Sequence, residues 1–326
     1  MGNEEPERPD WTLGPADAAK LSLCPFSAVE GEAIIRQGDV GSTFFLITAG
    51  TVGIRRQVGG SIHELGTLGP GSIVGELAVL RRAPRNATVV ALEPVVGFTG
   101  DLGAMERLVG HDAAFPERLA TVAASRLAEA AEPVEVTLRD GSRVSVRPLL
   151  RKDRQRAAEA MSHYSEESRY ERFHSAAEAS SELLDLLCDV DYANHFVWVA
   201  FEGPEESYVG SARFVRLHSD PSVAEMAVGV ADEYHGMGMG NILVGALVVA
   251  ALEMGITHFS AEVLTDNRPM RAILDRLGAE WIEEGFGEAS ASVLLAAPVA
   301  LLGASEIRRF RQLVATIVSP TAVFAA

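Results

Sequence analysis

Cysteine is scarce: the 326 residues hold two, Cys24 and Cys188, far apart and in no CxxC or metal-ligand spacing. That spacing offers neither a disulfide framework nor a zinc site and suits a reducing compartment. No metal site is expected. Long apolar runs are missing as well. The longest, 242–252, contains Gly245 and ends at Glu253, short of the roughly 18 residues of a membrane span; it reads as a buried helix. The opening MGNEEPERPDW is acidic and polar, unlike a signal peptide. A cytoplasmic protein without a membrane partner is the expectation. Basic charge is in deficit too: 28 Lys and Arg against 45 Asp and Glu leave a net charge of −17. Such a surface repels phosphate backbones and sets the chain against a nucleic-acid partner.

What is present divides the chain. At roughly 100–200 residues per domain, this length predicts two. Residues 1–16 read as a flexible leader. From 29 to 99 short β-rich runs end in Gly or Asp, the rhythm of a small β-roll. Residues 103–130 switch to helical spacing, with Leu108, Leu119, Val122 and Leu127 sharing faces. Glu132-Pro133 breaks that helix. An Asp-Gly hairpin follows in VTLRDG/SRVSVRP. Helices are predicted at 151–162 and about 178–188, and strands at 195–201, 208–217 and 223–230. After a glycine-rich turn at 235–240 come a helix at 240–254, a strand at 257–264, a helix at 268–276 and a final strand pair. This order predicts an α/β domain on a mixed sheet. The fold class is therefore α+β multidomain, with boundaries at 17–132, 133–295 and a 296–326 helical tail. The tail carries Arg308, Arg309 and Arg311 on an amphipathic run and is a candidate regulatory lid.

Two stretches carry chemistry. In GSIVGELAVLRRAPRNATVVAL, 71–92, a one-turn helix follows Gly75 and offers backbone N–H groups to an anion. Arg85 is placed to hold a phosphate bidentately, and Glu76 to accept from a ribose hydroxyl. The segment resembles the phosphate-binding cassette of cyclic-nucleotide-binding domains: Gly75, Glu76, Leu77, Ala78, Pro84, Arg85, Ala87 and Thr88 match in order. The resemblance covers about 25–130. It implies a β-roll, ribose contact by Glu76, phosphate contact by Arg85 and a C-terminal helix that moves on binding. Asn86, which is not the threonine usual in cGMP binders, favours cAMP as the allosteric ligand. Arg126, on the helix after the roll, is the candidate base cap.

The second stretch is VAEMAVGVADEYHGMGMGN, 223–241, in which a strand delivers the chain to Gly236, Gly238 and Gly240 before a long helix. Glycines let a pyrophosphate approach the main chain, and the helix N-terminus receives it. The preceding antiparallel meander fits poorly with a dinucleotide site of the Rossmann kind. The stretch resembles the pyrophosphate motif of GNAT acetyltransferases, with His235, Gly238 and Gly240 in the defining positions. TDNRPMRAILDRLGAEW resembles the family's second cofactor motif, with Asn267, Met270, Leu274 and Gly278 in register. The likeness spans about 143–292. It implies an acetyl-CoA site formed by Val228, Val230, His235, Gly236, Met237, Gly238, Met239, Gly240, Asn241, Asn267 and Arg271. Glu225, on the strand ahead of the loop, is the expected general base. His163, His174 and His195 are read as structural, with lining of the acceptor site as the alternative for His174 near SRYERF.

A cyclic-nucleotide-binding domain ahead of a GNAT domain resembles the cyclic-AMP-regulated protein lysine acetyltransferases of mycobacteria. SEESRYERF and DYANHFVWVA extend that resemblance. It implies acetylation of lysines on proteins such as acyl-CoA synthetases and stress proteins, with autoinhibition relieved by cAMP. A GNAT acting on a small-molecule amine stays open. A transcription regulator would need a helix-turn-helix and a basic face, and neither is present.

Overall fold

The computed structural model describes residues 15–162, 165, 185, 187–203 and 207–318. The chain forms two compact units that divide between Ala123 and Ala124. Most of the 1–16 leader, the expected helix at 178–188 save three of its positions, His163 and His174 lie outside the described residues.

In the first unit a short helix α1 (Pro15–Lys20) precedes eight strands: β1 (Cys24–Ala28), β2 (Ala33–Ile35), β3 (Phe44–Ala49), β4 (Val52–Val58), β5 (Ser61–Leu68), β6 (Ile73–Val74), β7 (Thr88–Ala91) and β8 (Val95–Gly100). They form two four-stranded sheets, β1-β8-β3-β6 and β2-β7-β4-β5, the two faces of a β-roll. Ile47, Val52, Val89 and Val95 fill the space they enclose. Helix α2 (Glu76–Arg81) interrupts the roll between β6 and β7.

Where one helix is expected over 103–130, there are two: α3 (Leu102–His111) and α4 (Phe115–Ala130). Asp112 is the reason. Its backbone is extended, with φ −127°, and its carboxylate accepts from the Ala114 N–H, a local bond that competes with helix continuation. Pro116 then suits the first turn of a new helix. Phe115 and Leu119 join the core beneath α3, so the division between units falls inside α4 rather than at Pro133.

The second unit carries one eight-stranded sheet. Its strands are β9 (Val134–Thr137), β10 (Arg143–Pro148), β11 (His195–Glu202), β12 (Ser207–Arg216), β13 (Val223–Val230), β14 (His258–Leu264), β15 (Glu280–Gly285) and β16 (Glu288–Leu294). Their order is β15-β16-β14-β13-β12-β11-β10-β9. A three-residue turn (Arg151–Asp153) leads into α5 (Arg154–Ser162), and α6 (Met239–Glu253), α7 (Arg268–Asp275) and α8 (Ala304–Val318) are the later helices among the described residues. The pair β13–β14 is parallel and the other pairs are antiparallel.

Helix α6 is apolar around its circumference, as a helix buried on all sides must be. Eleven of its residues are buried, from Met239 to Ala251. Gly245 allows the segment ahead of α8 to close on it: a Cβ there would lie 2.5 Å from Leu302 Cγ. Phe310 of α8 packs edge-on to Trp198 at 5.3 Å, and Ile307, Leu313, Val314 and Ile317 are buried with it. The tail is thus seated on the second unit by an apolar stripe. Its arginines face outward: Arg309 donates to the Glu135 carbonyl, and Arg311 pairs with Glu253.

Candidate functional sites

In the first unit the strand-to-helix turn after β6 needs glycine. Gly75 has φ +80° and caps α2, and a Cβ there would meet Arg85 Nη1 at 2.5 Å. Gly41 is under the same constraint, since its Cβ would fall 2.4 Å from Ala78 Cβ and 2.8 Å from Arg85 Nε. These absent methyls leave the channel through which Arg85 reaches inward. Its Nη1 donates to the Gly75 carbonyl at 2.7 Å and its Nη2 to the Thr43 carbonyl at 2.6 Å. The Arg85 main chain is fixed in turn, its N–H donating to the Asp39 carbonyl and its carbonyl accepting from Gly38.

Arg85 is 8% exposed and Glu76 1%. Burial pulls the Arg85 guanidinium below its ordinary range, while the charges of Glu76 and Asp39 oppose that. A guanidinium has five N–H donors; the two carbonyls leave others for an anion. Leu77, Ala78 and Ala87 are buried around the pair, and Asn86 is exposed. The fold therefore brings Gly75, Glu76, Leu77, Ala78, Arg85 and Ala87 to one place. Sequence reasoning missed Gly41 and Thr43; nothing in GDVGSTFF marks them except proximity to the Gly-Asp turn. Arg126 lies on α4 in the second unit. There it neighbours Glu129, whose carboxyl burial holds above the usual range against the opposing charges of Arg126 and Lys152.

In the second unit the site arises from a strand pair that parts. β13 and β14 are paired only from Val223 to Glu225 against His258 to Ser260. Both strands run on, to Val230 and Leu264. The splay leaves one edge of β13 open to a ligand's polar groups. A cavity of about 610 Å³ occupies it, floored by Met226 to Val230 and Ala261 to Val263, and closed by the glycine loop, the first turn of α6 and α7.

The loop's geometry fits a phosphate. Gly236 and Gly238 have φ +76° and +95°, and a Cβ on Gly236 would meet nothing within 4 Å. Gly240 is needed for packing: its Cβ would lie 2.9 Å from Ile273 Cδ1, so glycine lets α6 and α7 approach. Val228, Val230, His235, Gly236, Gly238, Met239, Gly240, Asn241 and Asn267 all line the cavity. The buried Asn241 Oδ1 has no hydrogen-bond partner among the described residues, an acceptor that a bound ligand can satisfy. These features fit the elongated, phosphate-bearing acetyl-CoA. Asn267 also caps α7, accepting from the Met270 N–H at 3.0 Å.

Two expected cofactor residues lie apart. Arg271 stacks over Trp281 at 4.3 Å and pairs with Glu283 at 3.4 Å, so its guanidinium is taken up on the α7–β15 side. Met237 does not line the cavity; its carbonyl accepts from the Arg139 N–H. In their place stand three residues that the sequence reading did not single out: Arg139, Arg276 and Tyr234. Tyr234 donates to Glu202 Oε2 at 2.8 Å. Burial and that partner push its hydroxyl up to about 12, so it is a neutral donor at working pH.

Glu225 is exposed on the last paired rung of β13, one residue before the cavity begins. Cross-strand pairing places it in one row with His195, Val215 and Ser260. Directly paired residues share a face of a sheet, so these four lie on the face opposite Phe214 and Met226. His195 is held by the Asp189 carbonyl at 3.0 Å, and burial lowers its pKa. Among the described residues, no three His, Cys, Asp or Glu are grouped to hold a metal ion, and no helix is long and apolar enough to cross a membrane.

Comparison with known proteins identifies both domains. Residues 26–112 match the cyclic nucleotide-binding domain family, and residues 143–280 match the Acetyltransferase (GNAT) domain family. Acetyltransferase Pat of Mycolicibacterium smegmatis is 43% identical over 265 residues, 81% of this chain and 79% of that protein. The solved cAMP-binding acyltransferase from Mycobacterium smegmatis superposes with a TM-score of 0.50 at 36% identity, covering 95% of this chain and 93% of that one. A cAMP-dependent protein kinase regulatory subunit of Mycosarcoma maydis is 43% identical over 83 residues, 24% of this chain and 15% of that protein. With a cyclic-nucleotide cassette in one unit and a GNAT cleft in the other, the chain belongs to the family of acetyltransferases that includes Pat, in which a cyclic nucleotide-binding domain is joined to a GNAT domain.

Proposed function

We propose that the chain is a protein lysine N-acetyltransferase that takes acetyl groups from acetyl-CoA and is switched by cAMP. The observation that carries the reading is the parting of β13 and β14 just beyond Glu225, with the glycine loop at the mouth of the cleft. Acetyl-CoA supplies the thioester carbonyl to be attacked. The main chain of β13 orients it, and the loop from Gly236 to Gly240 holds its pyrophosphate. Glu225 is the general base. Its carboxylate accepts a proton from the acceptor's ammonium, directly or through one water. The freed amine forms the new amide bond as the C–S bond breaks, and the thiolate leaves to be protonated. An acidic chain of net charge −17 suits lysine-bearing proteins, acyl-CoA synthetases and stress proteins among them.

In the other unit Arg85 takes the cyclic phosphate and Glu76 a ribose hydroxyl. cAMP is the ligand in this reading: Asn86 is not the cGMP signature, and the mycobacterial structure is of a cAMP-binding protein. Regulation requires two states of the chain that bind cAMP unequally. Moving such an equilibrium from 1:99 to 99:1 takes about 5.5 kcal/mol of differential binding. In the ligand-free state the acceptor route is closed.

The test is acetyl-CoA turnover on a lysine-bearing acyl-CoA synthetase, with and without cAMP, for the intact chain, Arg85→Ala and Glu225→Ala. The expected result is stimulation by cAMP that Arg85→Ala weakens, and loss of turnover in Glu225→Ala with cAMP affinity kept. Activity indifferent to cAMP overturns the switch. Transfer only to free amines overturns the protein acceptor.

A further inference from the structure

Acetyl-CoA carries several negative charges on its pyrophosphate and 3′-phosphate, and this chain is itself strongly acidic. Close-range cations must offset that repulsion. Among the described residues, the charged side chains along the cleft are Asp232 and Glu262 on one account and Arg139 and Arg276 on the other. Of the cations, Arg139 is the one built into the glycine loop, although it lies almost a hundred residues earlier in the chain.

Arg139 sits at the tip of the β9–β10 hairpin. Its backbone N–H donates to the Met237 carbonyl at 3.1 Å, and its Nη1 donates to the Gly236 carbonyl at 3.2 Å. Its Nε lies 3.4 Å from where a Cβ on Gly238 would stand, so the side chain lies alongside the loop in van der Waals contact. The hairpin tip is itself fixed. Gly141 turns with φ +95°, and Asp140 Oδ1 accepts from both the N–H and the hydroxyl of Ser142. Asp140 is thereby engaged with Ser142, and those bonds hold its carboxyl below the usual range.

Accepting the acetyl-CoA reading, we infer that Arg139 is a ligand of the acetyl-CoA pyrophosphate, delivered from outside the glycine motif. The Gly236 carbonyl uses one of five guanidinium donors, and the fork of the others matches phosphate oxygens. The glycine loop supplies N–H groups; Arg139 supplies the formal charge they lack. His235 and Met237 stand in the loop itself, and the arginine comes from the hairpin laid across it.

The experiment compares the full chain with Arg139→Ala, Arg139→Gln and Arg139→Lys. It measures calorimetric affinity for acetyl-CoA and for its 3′-dephospho form, together with KM and kcat. Losing a charge-assisted contact is worth about tenfold or more in affinity. Arg139→Ala and Arg139→Gln are expected to raise Kd and KM by that factor for both ligands, with kcat at saturation kept, and Arg139→Lys to lose less. Gln keeps a donor for the Gly236 carbonyl without the charge. Wild-type affinity in Arg139→Gln therefore means that Arg139 only braces the loop, and the assignment falls. A loss that disappears with the 3′-dephospho form also overturns it, moving the contact to the 3′-phosphate. Failure of the unaltered chain to bind acetyl-CoA is a separate result, and sinks the acetyl-CoA reading itself.

Discussion

Arg85 donates through Nη1 to the carbonyl of Gly75 at 2.7 Å, and a Cβ on Gly75 would stand 2.5 Å from that same nitrogen. The arginine and the glycine ten residues before it are one device. Gly75→Ala both strains a φ of +80°, at about 1–2 kcal/mol, and displaces the guanidinium. Cyclic-nucleotide affinity should fall about tenfold or more, a difference of about 1.4 kcal/mol per decade. Isothermal titration reads it. Gly69→Ala, where a Cβ meets nothing within 4 Å, should bind as the unaltered chain does.

Arg147 and Asp153 form a buried bidentate pair at 2.6 and 2.9 Å. The Leu150 N–H also donates to Asp153, and Arg147 lies 4.6 Å over the Phe201 ring. Breaking such a pair leaves an uncompensated charge and costs roughly 3–5 kcal/mol. Asp153→Asn should therefore lower the thermal midpoint of the full chain by several degrees, followed by circular dichroism. A midpoint within a degree of wild type would refute the assignment of this pair as the anchor of the turn before α5.

His195 ties stability to pH. Its folded pKa lies below the ordinary 6.5, chiefly through burial, with Arg213 adding to the effect and the Asp189 carbonyl, Asp191 and Asp189 opposing it. The unfolded chain then binds more protons than the folded one just below pH 6.5. Stability from this residue is present above that pH and is lost as pH falls toward the folded value. Thermal melts between about pH 7.5 and 5.5 should fall more steeply for the unaltered chain than for His195→Asn. Parallel slopes would show that the imidazole titrates alike in both states.

Phe310 is fully buried against Trp198. Truncating it to Ala removes that contact and opens a cavity, at about 3–5 kcal/mol. If α8 is core, Phe310→Ala should unfold more easily and lose acetyltransferase activity with heat. A helix acting as a lid would instead give an equally stable chain with raised activity in the absence of cAMP. Melting curves beside rate assays separate the two.

Much of this was legible in the residues. Glycine spacing, β-rich rhythm and the Gly-Glu-Leu-Ala with Pro-Arg order mark the cassette, because its turn and its matched residues, from Gly75 to Arg85, lie in one short stretch. The glycine loop and α6 read as clearly, since a strand, a left-handed turn and an all-apolar helix each leave a short-range signature. The break at Asp112 was hidden. Apolar spacing continues through it, and only an Asp side chain accepting from the backbone N–H two residues on interrupts the helix.

What tertiary structure alone decided is long-range. Thr43 meets Arg85 across 42 positions, and Arg139 meets Gly236 across 97; no local pattern records either. Arg271 sits in the expected motif, yet Trp281 and Glu283, ten and twelve residues on, take its guanidinium. The tail's stripe of Ile307, Phe310, Val314 and Ile317 fixed that it would be buried, but not against what. The sequence by itself determined which segments turn, which bury a face and which expose backbone to an anion, since those depend on neighbours along the chain. Which arginine faces which loop, and where two parallel strands part to leave a cleft, depended on sheet order, and sheet order exists only once the chain is folded.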